Sequence, residues 1–281
     1  MTINCNGKLI DLSTPKIMGI VNATPDSFYD GGQNNHVDQA LVKAKQMIEE
    51  GAHFIDIGGY SSRPGAKDVS ALEEEARVLP VVEALVKEVP DIVISVDTFR
   101  ASVAEKAIQH GAAMVNDISA GFLDKNMLDT VSALGVPYCM MHMRGTPQTM
   151  KTLANYDNLT KEILYYFSER LAAARKAKIN DLIIDPGFGF SKTVAQNYEL
   201  LNALENLQSL GVPLLAGISR KSMIYKVLNT SSEEALNGTT ALHMIALEKG
   251  AKILRVHDVK PAQECVKLSS ALQGKTLKAI S

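Results

Sequence analysis

Eight short apolar runs, rich in β-branched residues, recur along the chain with room for a helix between each pair. This repetition restricts the fold more than any other feature. The runs are KIMGIVNA from Lys16, HFIDIGG from His53, IVISVDT from Ile92, AAMVNDIS from Ala112, PYCMMHM from Pro137, LIIDPGF from Leu182, PLLAGIS from Pro213 and ILRVHDV from Ile253. They read as strands buried on both faces, the pattern of a parallel sheet. Between them lie segments with helical periodicity and charged faces, such as VDQALVKAKQMIEE from Val37, LTKEILYYFSERLAAARKAK from Leu159 and EEALNGTTALHMIALEKG from Glu233. Gly51, Gly111, Gly135, Gly211 and Gly250 each stand where a helix ends and a left-handed residue closes its last turn. Right-handed crossovers repeated in this way, with no second composition regime, fit a closed barrel better than an open doubly wound sheet. The absence of a Gly-x-Gly-x-x-Gly loop after the first run points the same way. The expected fold class is α/β: one (β/α)8 TIM barrel domain over residues 1–281, with its core at about 16–265. Its active site is expected at the C-terminal ends of the strands.

Composition excludes several function classes. At 46% hydrophobic residues the chain can fill a large core, yet its apolar runs, such as Val81 to Val86, fall well short of a membrane span. The opening MTINCNGKLIDLS lacks the basic stretch and long apolar run of a secretory signal, so a cytoplasmic location and no membrane partner are expected. Cys5, Cys139 and Cys265 are too scattered for a disulfide framework or a zinc site and read as ordinary packed or surface thiols. A net charge of −2, without tryptophan or a long basic run, gives no electrostatic reason to expect nucleic acid. Any anionic ligand must therefore be held locally.

Polar residues interrupt the apolar runs at their C-terminal ends: Asn22, Asp56, Asp97, Asn116 with Asp117, His142, Asp185, Ser219, and Arg255 with His257. Taken singly, a strand-end Asp or Asn often caps the next helix or closes a turn. Together, acids, amides and cations from seven or eight repeats converge on the rim where barrel enzymes build active sites. Arg255 and His257, two apart, point the same way, and the guanidinium fork suits a phosphate or diphosphate; pairing with a barrel acid is the alternative. Ser219-Arg220-Lys221-Ser222 follows the seventh strand and opens a helix, which brings a cation and free backbone N–H groups to one place. Lys221 could instead be a solvated surface charge. Residues 22–32 and 58–70 form two long loops rich in Gly, Pro, Ser and Asp, expected to act as mobile lids over the rim. The substrate indicated is small and carries phosphate.

The segments MGIVNATPDSFYDGG, GGYSSRPGA, SVDT, VNDIS, DPGFGF, GISRKS and RVHDV resemble, in order and spacing, the signatures of the dihydropteroate synthase family over roughly residues 16–265. One such segment is weak evidence; seven in order are specific. The resemblance implies condensation of 7,8-dihydropterin-6-ylmethyl diphosphate with 4-aminobenzoate, a folate-pathway step giving 7,8-dihydropteroate and pyrophosphate, with Mg²⁺ and as a homodimer. It assigns the pterin to Asp97, Asn116, Asp185 and Lys221. The diphosphate falls to Asn22, Arg63, Arg255 and His257, with Asn22 also contacting the metal. The aminobenzoate falls to Ser62, Pro64, Phe190, Lys221 and Ser222. Asp97, Arg63, Lys221, Arg255 and His257 are the catalytic set so implied. The implied chemistry is dissociative: diphosphate leaves first and the arylamine captures the pterin methylene cation. A bare pterin is accordingly expected to bind without help from Arg255.

Three positions depart from the family pattern: Tyr60 where many members have Glu, Ser62 for Thr, and Ser191 where Gly is common. Two other readings compete. A corrinoid methyltransferase using methyltetrahydrofolate shares the barrel and the pterin-binding acids, but its substrate has no diphosphate to explain Arg63 or the 219–222 cluster. A catalytically silent pterin-binding subunit is expected to lose lid residues first, yet Asn22, Asp26, Arg63 and Asp97 are all present.

Overall fold

The computed structural model describes residues 1–23, 33–61 and 68–274. The expected lid positions Asp26, Ser62, Arg63 and Pro64 lie outside these residues. Two short strands, β1 (Thr2–Cys5) and β2 (Lys8–Asp11), pair antiparallel ahead of the apolar runs. The eight runs form β3 (Lys16–Asn22), β4 (Phe54–Gly58), β5 (Val93–Asp97), β6 (Met114–Asp117), β7 (Tyr138–Met141), β8 (Leu182–Asp185), β9 (Leu214–Ala216) and β10 (Ala251–Val256). They are parallel and close into a barrel, with β10 pairing back onto β3.

Helices α1 (Gln33–Glu49), α2 (Ala71–Glu88), α3 (Ala101–Gln109), α4 (Met127–Leu134), α5 (Leu159–Lys176), α6 (Val194–Asn202), α7 (Ser222–Leu228), α8 (Leu236–Glu248) and α9 (Val259–Leu272) follow the barrel strands. Local chemistry starts and stops them. Ser70 caps α2 by accepting from Glu73 N, Asn158 caps α5 by accepting from Lys161 N, and Thr193 with Gln196 forms a capping box on α6. The five glycines read as helix stops all have positive φ, as at Gly135, φ 67°, whose N–H closes on Val131 O.

Alternation along each strand sorts the interior into two systems. Outward residues such as Ile17, Val21, Ile55, Ile57, Ile94, Val96, Val115, Ile184 and Leu254 pack beneath the helices in one large apolar cluster. Inward residues at the strand beginnings form a second cluster: Met18, Phe54, Val93, Met114, Cys139, Ile183, Leu215 and Ile253. The β1–β2 hairpin belongs to this second cluster, since Ile3, Cys5 and Leu12 join it and close the lower end of the barrel. It is fastened there by Asn4 N donating to Asp181 Oδ2 at 3.0 Å and Asn6 Nδ2 donating to Ala112 O at 3.1 Å. All three cysteines are buried and unpaired, so the surface alternative drops out.

Candidate active site

Further along five of the strands, the inward positions change character. Above Phe54 comes Asp56, above Val93 come Ser95 and Asp97, above Met114 comes Asn116, above Ile183 comes Asp185, and above Ile253 come Arg255 and His257. Strand register sets Asp56 beside Ser95 and Asp97 beside Asn116. The result is a polar layer directly over the apolar one.

Arg255 binds this layer together. Its Nε donates to Asp56 Oδ2 at 2.6 Å and its Nη2 donates to Asp97 Oδ2 at 2.5 Å. Asn116 Nδ2 donates to the same Asp56 oxygen at 2.9 Å. Burial pushes the Asp97 carboxyl up to about 7 against the pull of Arg255, and the charges of Asp56, Glu74 and Asp117 push it the same way. Burial alone would weaken the Arg255 charge, but Asp56 and Asp97 outweigh it and hold the guanidinium above the ordinary arginine value.

This geometry changes the role expected of Arg255. The sequence reading favours a diphosphate for the fork and keeps pairing with a barrel acid as the alternative; two of the three nitrogens are engaged by acids, as in that alternative. Only Nη1 has no partner among the described residues. The expectation that a bare pterin binds independently of Arg255 does not fit this geometry, because Asp97, one of the groups meant to hold the ring, is oriented by that arginine.

Across the barrel, Asp185 and Lys221 form the second polar group. A Cβ built on Gly217 would lie 3.5 Å from Asp185 Oδ2 and 3.7 Å from Lys221 Nζ, so this glycine is the open floor between them. Lys221 Nζ also donates to Phe188 O and sits 4.9 Å from the Phe190 ring centroid. It is therefore not a solvated surface charge. Burial brings the ammonium down to about 8 despite the neighbouring Asp185 charge, and burial raises the Asp185 carboxyl despite Lys221. Ser222 is the first residue of α7, next to Lys221. An apolar wall of Ile118, Met141, Met143 and Met150, with Phe99, Leu123 and Phe190 packed on it, completes this side.

His257 Nδ1 contacts Ser219 Oγ at 3.1 Å, and Ser219 Oγ also accepts from His257 N at 3.2 Å. Burial, with Arg255 and Lys43 nearby, lowers the imidazole to about 4, so it is neutral near pH 7 with Nε2 left for a ligand. Asn22 ends β3 on the same rim, and its side chain makes no hydrogen bond among the described residues.

Three rim residues of the sequence reading belong elsewhere. Asp117 and His142 have the outward parity. Asp117 accepts from Tyr138 Oη at 2.6 Å and from the backbone of Ser119 and Gly121, tying down the turn after β6. His142 packs edge-on against Tyr166, and its Nδ1 lies 3.0 Å from Lys192 Nζ. Arg220 turns away from the site to make a two-pronged pair with Asp258, at 2.7 and 2.9 Å.

The residues missed by sequence are the supports. Lys192 Nζ donates to Gly187 O and Phe190 O, both at 2.9 Å, and so holds the loop that carries Phe190. Gly187 admits no side chain, because a Cβ there would lie 2.1 Å from His142 O. Ser191, one of the departures, takes φ 49° and offsets that strain with a hydroxyl that accepts from Arg144 N and donates to Arg144 O, both at 2.9 Å. Tyr60, another departure, meets Phe99 in a T-shaped ring contact with centroids 5.1 Å apart and accepts from Gln148 Nε2 at 2.7 Å. No motif marks these residues; their partners become visible only in the fold.

Comparison with known proteins follows the same lines. The sequence model of the pterin binding enzyme family matches residues 18–257. The chain is 46% identical over 273 residues to a dihydropteroate synthase of Haemophilus influenzae, covering 96% of this chain and 98% of that protein. It is similar in fold to the Yersinia pestis dihydropteroate synthase solved with a sulfonamide drug, with TM-score 0.92, 43% identity and coverage of 98% and 100%. The Xanthomonas albilineans dihydropteroate synthase in complex with 7,8-dihydropteroate gives TM-score 0.88 at 39% identity, covering 97% and 99%.

Proposed function

The chain belongs to the pterin binding enzyme family, among its dihydropteroate synthases, and on that premise we propose how its polar layer carries out the joining of 7,8-dihydropterin-6-ylmethyl diphosphate to 4-aminobenzoate. The observation that carries the reading is the convergence of Asp97, Asn116, Asp185, Lys221 and Arg255 above a sealed apolar floor. A pterin edge alternates N–H donors with ring-nitrogen and carbonyl acceptors. Asp97 and Asp185 suit the donors, Lys221 suits an acceptor, and Asn116 serves either.

In the reaction the methylene C–O bond breaks and its electron pair leaves with the diphosphate. The arylamine lone pair then forms the C–N bond, and the new ammonium loses its proton. Asp97 lies where positive charge spreads into the ring, and Arg255 Nη1 with His257 Nε2 faces the departing anion. The amine is a neutral nucleophile, so most of the work is assisting departure. The Phe190 face and the apolar wall suit the aromatic ring of the aminobenzoate, with Lys221 and Ser222 at the start of α7 offering donors to its carboxylate. Ser62, Arg63 and Pro64 complete the diphosphate and aminobenzoate sites in this reading.

A divalent metal, Mg²⁺ in this reading, fits the rim in a limited way. No cluster of three metal-ligating acids, histidines or cysteines exists among the described residues. Asn22 offers one uncommitted amide oxygen, which suits an ion that keeps several waters and takes its other ligands from phosphate. Bound there, it would offset charge on the diphosphate.

Residues 1–281 act as one domain in this proposal, since the hairpin shares the barrel's core. It takes the working form as a cytoplasmic homodimer, for which exposed Val227, Leu228, Ile245, Leu268 and Leu272 on α7, α8 and α9 supply apolar surface. No described helix is long and apolar enough to cross a membrane. Pyrophosphate release measured with each substrate alone, both together, and with or without Mg²⁺ tests the whole reading. Sustained release with matching formation of 7,8-dihydropteroate is expected only with both substrates and metal; release with both present but no dihydropteroate formed would overturn it.

A further inference from the structure

Asp56 has no part in the roles assigned above, yet it is the most heavily used acid of the polar layer. It is fully buried, and its Oδ2 accepts from both Asn116 Nδ2 and Arg255 Nε, while Oδ1 has no partner among the described residues. A buried carboxylate oxygen left bare is costly, so its retention calls for a reason.

The reason lies in what a carboxylate can do to an amide. An ionised carboxylate only accepts, so the end of Asn116 facing Asp56 must be its NH₂ group. The side-chain carbonyl oxygen of Asn116, which has no hydrogen-bond partner among the described residues, is then the end left for a ligand. Without Asp56, the two orientations of the amide become nearly equivalent, and half of them present the wrong group to a ligand. Arg255 fixes the same carboxylate oxygen from the opposite side, so Asp56 cannot rotate to release Asn116.

We propose that Asp56 is a positioning residue that sets the donor–acceptor polarity of Asn116, so that the site selects rings presenting an N–H donor to that amide. The inference rests on the reading of the site as a pterin site. Asp56 itself touches no substrate. Its effect reaches the pterin through Asn116, and the aminobenzoate side, built on Phe190, Lys221 and Ser222, lies outside its reach.

A double-mutant cycle tests this, using 6-hydroxymethylpterin as the probe in calorimetric titration of the full chain. Asp56→Ala is expected to weaken probe binding at least tenfold, and Asp56→Asn, which keeps the size and an accepting oxygen, three- to fivefold. In the Asn116→Ala background the Asp56→Ala change should cost less than threefold, because its target is gone. In steady state Asp56→Asn should raise KM for the pterin diphosphate while leaving KM for aminobenzoate within twofold. A full tenfold loss in the Asn116→Ala background, equal shifts in both KM values, or unchanged probe binding in Asp56→Ala would overturn the proposal. If Asp56→Ala does not fold, Asp56→Asn carries the cycle, with its three- to fivefold effect expected to vanish beside Asn116→Ala and its persistence counting against the idea. Wild-type chain that fails to bind the probe at all would instead overturn the pterin reading on which the proposal stands.

Discussion

The lower and upper ends of this barrel are built from inward strand positions two to four residues apart, and they meet opposite demands. At the lower end Met18, Phe54, Val93, Met114 and Ile253 face one another and are sealed by Ile3, Cys5 and Leu12 of the hairpin. At the upper end Asp56, Asp97, Asn116, Asp185 and Arg255 face inward, with Arg255 engaging Asp56 and Asp97, and Asp56 also engaging Asn116. The lower layer gains stability from burial alone. The upper layer accepts a desolvation cost in exchange for groups held rigidly before a ligand arrives. Substitutions at the two ends should therefore separate stability from activity.

The largest effect is expected at Arg255. Removing it leaves Asp56 and Asp97 buried without their cation, and uncompensated buried charge costs on the order of 3–5 kcal/mol. Arg255→Ala should lower kcat/KM by about a hundredfold or more and weaken bare-pterin binding as well. Steady-state kinetics and pterin titration on one preparation check this. Normal pterin binding in the variant would return Arg255 to a pure diphosphate clamp. Next comes Leu12, fully buried in the lower plug. Leu12→Ala should cost about 2–5 kcal/mol of stability, read by chemical denaturation, with kcat/KM at 25 °C unchanged. A matching loss of activity would mean the two ends are coupled.

Titration gives a third, moderate effect. If Asp97 works ionised and Lys221 works charged, the rate rises as pH passes about 7 and falls as pH passes about 8. The pH profile of kcat/KM for the pterin diphosphate should be a narrow bell, falling about tenfold per unit on its acid side. Asp97→Asn should lose the acid limb; an unchanged limb would assign it to another group. The smallest effect is expected at Ser191. Ser191→Gly removes two hydrogen bonds and a strained φ together, so KM for aminobenzoate should move by less than about threefold while thermal stability falls by roughly 1 kcal/mol. A large change in KM would show that the hydroxyl shapes the Phe190 pocket directly.

Much of this was legible in the sequence because barrel strands announce themselves by apolar runs and barrel sites by the polar residues that end them. The eight strands, the stops at Gly111 and Gly135, and Asp97, Asn116, Asp185 and Lys221 on one rim all follow from that rule. The errors at Asp117 and His142 come from ignoring parity, since neighbouring strand residues face opposite ways and Asp117 cannot share a face with Asn116. The hairpin was missed although Asn6-Gly7, with φ of 51° and 84°, is a strong turn signal. Its strands are four residues each, too short to stand out beside the barrel runs. Lys192, Ser191 and Arg144 carry no motif, because what they do depends on partners brought near only by closure of the barrel.

The central claim is that the upper layer is a preformed pterin site and the lower layer is not part of it. Calorimetric titration of a bare pterin into wild type, Asp185→Ala and Leu12→Ala tests it most directly. A lost hydrogen bond to a charged group is worth about 1.5–3 kcal/mol, so Asp185→Ala should bind roughly ten- to a hundredfold more weakly. Leu12→Ala, below its melting temperature, should bind as wild type does. Unchanged affinity in a folded Asp185→Ala variant, or equal losses in both variants, would contradict the account.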